Sequence, residues 1–362
     1  MLPYLLSLFF SCFLLKLSES QRSVLKFLLE IVGILPIAIL AGCRDFTIGT
    51  DTAGYPTEMF YLCRSCDSLA QALVLIAGEV EPLYVVLQFY VSRFFKDAHW
   101  ILFFSHVIMY YNIVCVCRKM RIRPSVCVFI YFCVFFDFSL NGARQSIALS
   151  FIPLSFFYLI KKRYVKCIVF FIVAFLFHSS TLLCLGIFAL YWLTSKKPYL
   201  FSRKKQKIVA IVLVSVLLLN FSNIVIYMGQ LGFLRNEYID RYANGDMYGT
   251  NFPISNVYIN IVNLILYYKL GGNSKENSLS IFMEYVVILS LILCLSAMIS
   301  TYAVRITFNF VIIAICYESS LLAKSKYNLK QIGAFSYFFY WFFITILNLE
   351  DVMPYTSKIL GI

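Results

Sequence analysis

Residues 203–227 read RKKQKIVAIVLVSVLLLNFSNIVIY. A short basic cluster leads directly into Ile208–Tyr227, a run that contains no Asp, Glu, Lys or Arg. A helix needs about 20 predominantly apolar residues to cross a hydrocarbon core of roughly 30 Å. Lys and Arg beside such a run mark its cytoplasmic flank. Ile281–Ser300 and Ile306–Ala323 have the same character, interrupted only by Glu284 and Glu318. Over the 362 residues, 61% are hydrophobic and 14% charged, against about 25% charged in soluble domains. A membrane barrel would show alternating segments of ~10 residues, and these runs do not alternate. The expected fold is all-α: a polytopic integral membrane protein of roughly ten to twelve transmembrane helices, two of whose segments are re-entrant or half-helix pairs.

The net charge of +13 is distributed as topology signals rather than as a nucleic-acid surface. The basic linkers are Arg118–Arg123, Lys161–Lys166, Lys196–Lys207 and Lys324–Lys330, and none contains an Asp or Glu. Linker Lys16–Lys26 is also net basic. With these inside, Met1–Leu15 reads as a first span rather than a removed leader, since no basic residue precedes it and no small-residue cleavage site follows. Phe27–Gly42 then delivers Cys43–Ser68, with Asp45, Asp51, Glu58 and Asp67, to the outer face.

Trp100–Cys117 ends inside at Arg118, so Leu69–Ala98 begins and ends outside. That stretch is expected to be a re-entrant or interfacial pair of short helices broken near Gly78–Pro82. Irregular backbone at membrane depth is tolerated only where it is buried in protein or lines a cavity. Ser125–Leu140 exits and Gln145–Ile160 returns. Cys167–Leu193 is apolar between two basic flanks, which predicts a second broken pair with its tip at His178-Ser179-Ser180. Ile208–Met228, Asn256–Leu270, Leu279–Ser300, Ile306–Ala323 and Ile332–Leu349 complete the spans, leaving an acidic outer tail with Glu350 and Asp351. Residues 1–362 form a single transmembrane domain, to whose site outer loops 43–68 and 229–255 contribute. The second loop carries Arg235, Glu237, Asp240, Arg241 and Asp246.

On this topology Arg44, Asp45, Asp51, Asn141, Arg144, Gln145, His178 and Arg305 all fall at outer span ends or re-entrant tips. An Arg near membrane depth costs about 2.5–3.5 kcal/mol on insertion scales, so it has a partner or a task. The densest piece is Cys43–Tyr55, where Gly49 and Gly54 permit tight turns beside Thr50, Asp51 and Thr52; a solvated loop with a turn and a helix cap explains it equally well. Asn141, Arg144, Gln145 and Ala148 lie at helical spacing, which puts them on one face, and Arg144 offers a fork suited to phosphate. A snorkelling Arg is the structural alternative. Tyr302, Arg305 and Asn309 repeat the arrangement. His106 reads as packing. His178 is either a hydrogen-bonded packing residue or a catalyst. Glu81 is either a base or the partner of an Arg. Glu30, Glu284 and Glu318, near inner ends, are expected to pair with the basic linkers. Most of the cysteines act as small hydrophobes; Cys63 and Cys66 lack the further ligands of a zinc site, and a disulfide between them is open. Nucleotide-binding, nucleophile-elbow and zinc-protease motifs are missing, and the outer loops hold no Asp-x-Asp.

Arg44–Tyr55 (RDFTIGTDTAGY), Glu81–Tyr84 (EPLY), Asn141–Phe151 (NGARQSIALSF), Phe177–Ser180 (FHSS) and Arg305 together resemble the EpsG family, a branch of the Wzy-type polysaccharide polymerases. Leu83 stands where the family commonly has Gly. The resemblance implies a metal- and cofactor-independent glycosyltransferase at the outer face of a bacterial inner membrane. It would join polyprenyl-pyrophosphate-linked oligosaccharide repeat units of an O-antigen, capsule or exopolysaccharide. Its expected associates are the bilayer, a chain-length regulator and a flippase, with no nucleic acid. Asp51, His178, Asp45 and Glu81 compete as the base. Arg44, Arg144 and Arg305, with Asn141, Gln145 and Thr50, are expected to hold pyrophosphate and sugar. An O-antigen-ligase-type transferase and a lipid-linked oligosaccharide flippase are the rival readings.

Overall fold

The computed structural model describes residues 1–76, 79–220, 253–270, 277–298 and 304–362, with positions 223, 226 and 227. Gly78, Tyr302 and most of outer loop 229–255, including its five charged residues, lie outside the described residues. The helices are α1 (Leu2–Ser18), α2 (Ser23–Gly42), α3 (Met59–Ser65), α4 (Leu69–Leu75), α5 (Pro82–Phe94), α6 (His99–Met120) and α7 (Pro124–Asn141). They continue as α8 (Ala143–Ile160), α9 (Tyr164–Phe177), α10 (Cys184–Lys196), α11 (Pro198–Phe201) and α12 (Lys204–Leu219). The last are α13 (Ile254–Leu270), α14 (Ser278–Cys294), α15 (Val304–Lys324) and α16 (Tyr327–Ile346). Among the described residues there is no strand, and α2, α6, α7, α8 and α15 are long and apolar enough to cross a membrane. The chain is an all-α polytopic membrane protein.

Both expected breaks are present. Pro82 starts α5 at its first turn, where a missing N–H is harmless. The apolar run after Tyr164 stops at Phe177, passes through a 3-10 turn at Ser179–Leu183 and resumes at Cys184. The chain forms two compact units, Met1–Leu182 with Ile315–Ile362, and Leu183–Ala314.

In the first unit α1 packs on α2 and α7, α2 on α6, α6 on α8, α8 on α9, and α7 on α16. The α6–α7 turn is closed by Arg121 in the left-handed region (φ 57) and followed by Pro124 at the start of α7. Helix α7 is apolar around most of its circumference, and all of it but Val126 and Phe129 is buried. Its Asp137 accepts hydrogen bonds from Trp341 Nε1 (3.1 Å) and Thr345 Oγ1 (2.6 Å), fastening α7 to α16. Outward, α16 presents Ile332, Phe335, Phe339, Phe342, Phe343 and Ile346, while Tyr337, Tyr340, Trp341 and Ile344 face in. An apolar stripe of this size is unfavourable against water and natural against lipid.

In the second unit Ile281, Tyr285 and Leu289 pack among Leu190, Val214 and Phe310. Lys207 reaches Glu284 at 2.5 Å. The expected pairing of inner carboxylates with basic linkers therefore holds for Glu284, and for Glu30, which pairs with Arg118. Glu318 accepts a hydrogen bond from the Tyr337 hydroxyl.

Local expectations are corrected in two places. Residues 53–65 are helical, a π-helical turn at Ala53–Glu58 running into α3, so Gly54 lies in a helix and makes no tight turn. Asn141 is not on a common helical face with Arg144, because α7 ends at Asn141 and α8 begins at Ala143. Gly142 makes that corner: a Cβ there would meet Phe138 Cζ at 2.7 Å. Cys63 and Cys66 are buried free thiols.

Candidate functional site

At one end of the first unit, where α2 and α7 finish, residues 43–52 form a collar rather than a solvated loop. Arg44 is completely buried. Its guanidinium donates to Ala41 O (2.7 Å), Leu140 O (2.9 Å), Ile48 O (3.3 Å) and Thr52 Oγ1 (3.2 Å). The Ala41 and Leu140 carbonyls belong to the last turns of α2 and α7, which lack intrahelical partners, and Ile48 lies within the collar itself. Burial draws the Arg44 guanidinium down to about 10, which leaves it charged at neutral pH.

Gly49 sits at φ +86, and a Cβ there would meet Leu140 O at 2.8 Å, Asn141 Oδ1 at 2.9 Å and Thr52 Oγ1 at 2.9 Å. Only glycine fits both the conformation and the space. Asn141 Oδ1 accepts from Thr50 N at 2.6 Å, and its Nδ2 donates to Glu350 O at 2.6 Å. The chain after α16 folds back onto the collar. Asp45 N donates to Thr356 O and Gly49 N to Asp351 O, both at 3.0 Å, and Lys358 N donates to Asp45 Oδ1 at 3.0 Å. That last N–H is the main reason the exposed Asp45 carboxyl titrates below its ordinary value. Tyr355 Oη donates to Leu40 O at 2.8 Å and Tyr4 Oη to Val352 O at 2.6 Å. Asp51 is half-exposed in the turn between Thr50 and Thr52.

Beyond the collar three helix ends converge. Glu81 caps the start of α5, Arg144 lies in the first turn of α8, and His178 closes α9. Arg144 Nη1 meets Glu81 Oε2 at 2.7 Å, each side chain 18% exposed. Glu81 Oε1 accepts from Ser179 N at 3.2 Å and from Ser179 Oγ at 3.4 Å. The Arg144 guanidinium carbon lies over the Tyr55 ring, 4.4 Å from its centroid, and Gln88 Nε2 donates to Tyr55 O at 3.0 Å. His178 Nδ1 accepts from Ser180 N at 3.2 Å. Burial opposes ionisation of Glu81, but nearby His178 and Arg144 outweigh it and hold the carboxyl below its ordinary value.

The structure thus gathers Glu81, Arg144 and His178 in one cluster, and Arg44, Asp45, Thr50 and Asn141 in the collar beside it through Tyr55. Gln145 is buried next to Arg144. Arg305 belongs to the second unit, in the first turn of α15. There Asn309 is buried and accepts from Cys184 Sγ at 3.1 Å. His106 is a packing residue, Nδ1 at 2.8 Å from Leu102 O and Nε2 at 3.1 Å from Ser139 Oγ. Tyr55 and Ser179 were within the quoted motifs but carried no expected role. Their signal was proximity to Asp51 and His178 in sequence.

A lowered carboxyl pKa has a stability consequence of definite sign. The Glu81 contribution is complete above the ordinary glutamate value of 4.5, declines as pH falls below it, and is gone below the folded-state value. Melting curves of wild type and Glu81→Gln should be separated at neutral pH and converge through the acid carboxylate range. A separation independent of pH contradicts the ion pair.

A multi-pass helical membrane protein with a charged cluster at one bundle end is an arrangement suited to substrates held in the bilayer. The chain belongs to the EpsG family, which it matches over residues 27–357, a Wzy-like family of polysaccharide polymerases. The match takes in the collar, the Glu81–Arg144–His178 cluster, Arg305 and most of the returning tail. No curated protein and no solved structure matches the chain.

Proposed function

We propose that the chain, its two units acting as one polymerase domain, joins polyprenyl-pyrophosphate-linked oligosaccharide repeat units at the outer face of a bacterial inner membrane. The observation that carries this reading is the Glu81–Arg144 pair, a cation for a diphosphate and a carboxylate for a proton held 2.7 Å apart among converging helix ends. A cation–π contact with the Tyr55 ring helps hold the guanidinium, and its planar fork favours two-pronged contact with phosphate oxygens. An arriving pyrophosphate takes Arg144 from Glu81. Stripped of its cation, Glu81 becomes a stronger base. The acceptor hydroxyl oxygen then attacks the anomeric carbon of the donor. The bond from that carbon to the phosphate oxygen breaks, its electron pair leaves with polyprenyl pyrophosphate, and the hydroxyl proton passes to Glu81.

With Nδ1 accepting from Ser180 N, the neutral His178 ring carries its proton on Nε2. This supports His178 as a donor to a substrate oxygen rather than as the base. Asp51, half-exposed on the collar, remains the competing base. Arg44 is committed to its own backbone acceptors, so we assign it to the frame and give the leaving group to Arg144. Arginine carries the leaving-group charge in this scheme, and strict dependence of activity on a divalent cation contradicts it. Glycans from a strain lacking this gene test the reading: the ladder collapses to a single repeat and is restored by wild type but not by Arg144→Ala. Long polymer that persists on the polyprenyl carrier would make the chain a ligase-type transferase instead.

A further inference from the structure

The opposite end of the first unit has its own charged cavity, unrelated to the cluster above. Helix α2 runs from this end to the collar, and α7 likewise runs from Pro124 here to Asn141 there. The cavity, of about 720 Å³, is lined by the cations Lys16, Lys26, Arg118, Arg121 and Arg123. Its two carboxylates are already engaged. Glu19 pairs with Lys16 at 2.8 Å and accepts from Ser125 Oγ at 2.5 Å, and Glu30 pairs with Arg118. Lys26, Arg121 and Arg123 have no carboxylate at salt-bridge distance among the described residues.

A second, apolar cavity of about 390 Å³ adjoins it, bordered by Phe9, Phe13, Val126, Phe129 and Ala334. Lys16 lines both, and consecutive residues Pro124 and Ser125 divide them. Lys330 stands on the apolar side. Burial first, and then Arg123 and Lys16, pull the Lys330 ammonium below its ordinary value; these cations crowd one another with too little negative charge among them.

We propose that this end is a binding site for an anionic phospholipid, its phosphate headgroup in the basic cavity and one acyl chain in the apolar groove between α1, α7 and α16. A soluble anion would satisfy the cations and leave the groove unused. A zwitterionic lipid would fill the groove without the net charge that Lys26, Arg121, Arg123 and Lys330 require. Only an amphipathic anion matches both parts, and the groove opens beside the lipid-facing residues Phe9 and Phe13. The site would tie the inner ends of α1, α2, α6 and α7 to the charged leaflet, and it is independent of the reaction at the other end.

The test uses the detergent-solubilised full chain and a phosphatidylglycerol labelled on one acyl chain. Unlabelled phosphatidylglycerol should displace the probe, whereas phosphatidylcholine and inorganic phosphate at equal concentration should not. Each neutralised cation should weaken binding about fivefold, so Lys26→Gln, Arg123→Gln and Lys330→Gln together should weaken it on the order of 100-fold. Val126→Trp, which fills the groove and keeps every charge, should also weaken it. Neutralising Arg203, Lys204 and Lys205 in the second unit should leave it unchanged. Displacement by phosphate alone, equal competition by phosphatidylcholine, equal losses in the second-unit variant, or an unaffected Val126→Trp would each overturn the proposal.

Discussion

Arg144→Lys should abolish polymer formation almost as completely as Arg144→Ala, by about 100- to 1,000-fold, although lysine keeps the charge. Three features of the site require the guanidinium. Its planar fork matches two phosphate oxygens at once, and an ammonium offers a point charge. Its central carbon lies over the Tyr55 ring, 4.4 Å from the centroid, a cation–π contact that helps hold the group in place. Its Nη1 holds Glu81 at 2.7 Å, which keeps the proposed base ionised and in place. Glu81→Gln should lose activity to a similar extent while keeping a hydrogen bond to Arg144. The loss should appear in the rate at saturating donor, since the proton acceptor rather than the binding group is missing. Both variants should remain folded in detergent. Near-normal polymer from Arg144→Lys would show that a point charge suffices and would remove the bidentate role.

Arg44→Met should do the opposite, destroying the fold of the site. The buried guanidinium serves the carbonyls of Ala41, Ile48 and Leu140, and apolar methionine leaves all of them without this donor. The Thr52 hydroxyl, 2.7 Å from Ile48 O and 3.2 Å from Leu140 O, can still serve one of them; each remaining orphaned acceptor costs about 1–3 kcal/mol, a large share of the 5–15 kcal/mol that separates folded from unfolded domains. Gly49→Ala should act in the same direction, because an added methyl meets three oxygens within 2.9 Å in a left-handed conformation. Thermal denaturation with activity assays of the purified proteins separates the classes: Arg44 and Gly49 variants lose most of their stability, whereas Arg144 and Glu81 variants lose turnover and only the smaller, pH-dependent share of stability that the ion pair supplies. An Arg44→Met protein of normal stability and no activity would return Arg44 to the role of a substrate ligand.

The division of labour between the two arginines was not readable from local spacing. Hydropathy and basic linkers carry helix positions because both act over consecutive residues. They therefore located α2, α6, α7 and α8 and the breaks at Pro82 and His178. What Arg44 does depends on Leu140, 96 residues away, and Asn141 is defined by Glu350, 209 residues away. No pattern along the chain encodes such pairings. The tail after α16 looked like an acidic outer segment. It is the second half of the collar, with Val352 and Tyr355 buried among residues of α1 and α2.

The role of Asp137 is illegible along the chain for the complementary reason. A single carboxylate inside an apolar run has no neighbours that announce a partner, and Trp341 and Thr345 come from the far end of the chain. By contrast, the Glu81–Arg144 pair was within reach: a Glu before Pro at a helix break and an Arg at an outer helix start were each singled out. Only their meeting required the fold.

Elongation of one lipid-linked substrate by another is what sets the proposed polymerase apart from a ligase or a flippase, and reconstitution from pure components measures it. Purified chain in liposomes is given a single defined polyprenyl-pyrophosphate-linked repeat unit as both donor and acceptor, and the products are resolved by size. The expected product is a ladder of multiples still attached to polyprenyl pyrophosphate, with one free polyprenyl pyrophosphate released per bond formed. No elongation of that substrate, accompanied by transfer of the unit to a different acceptor when one is added, would contradict it.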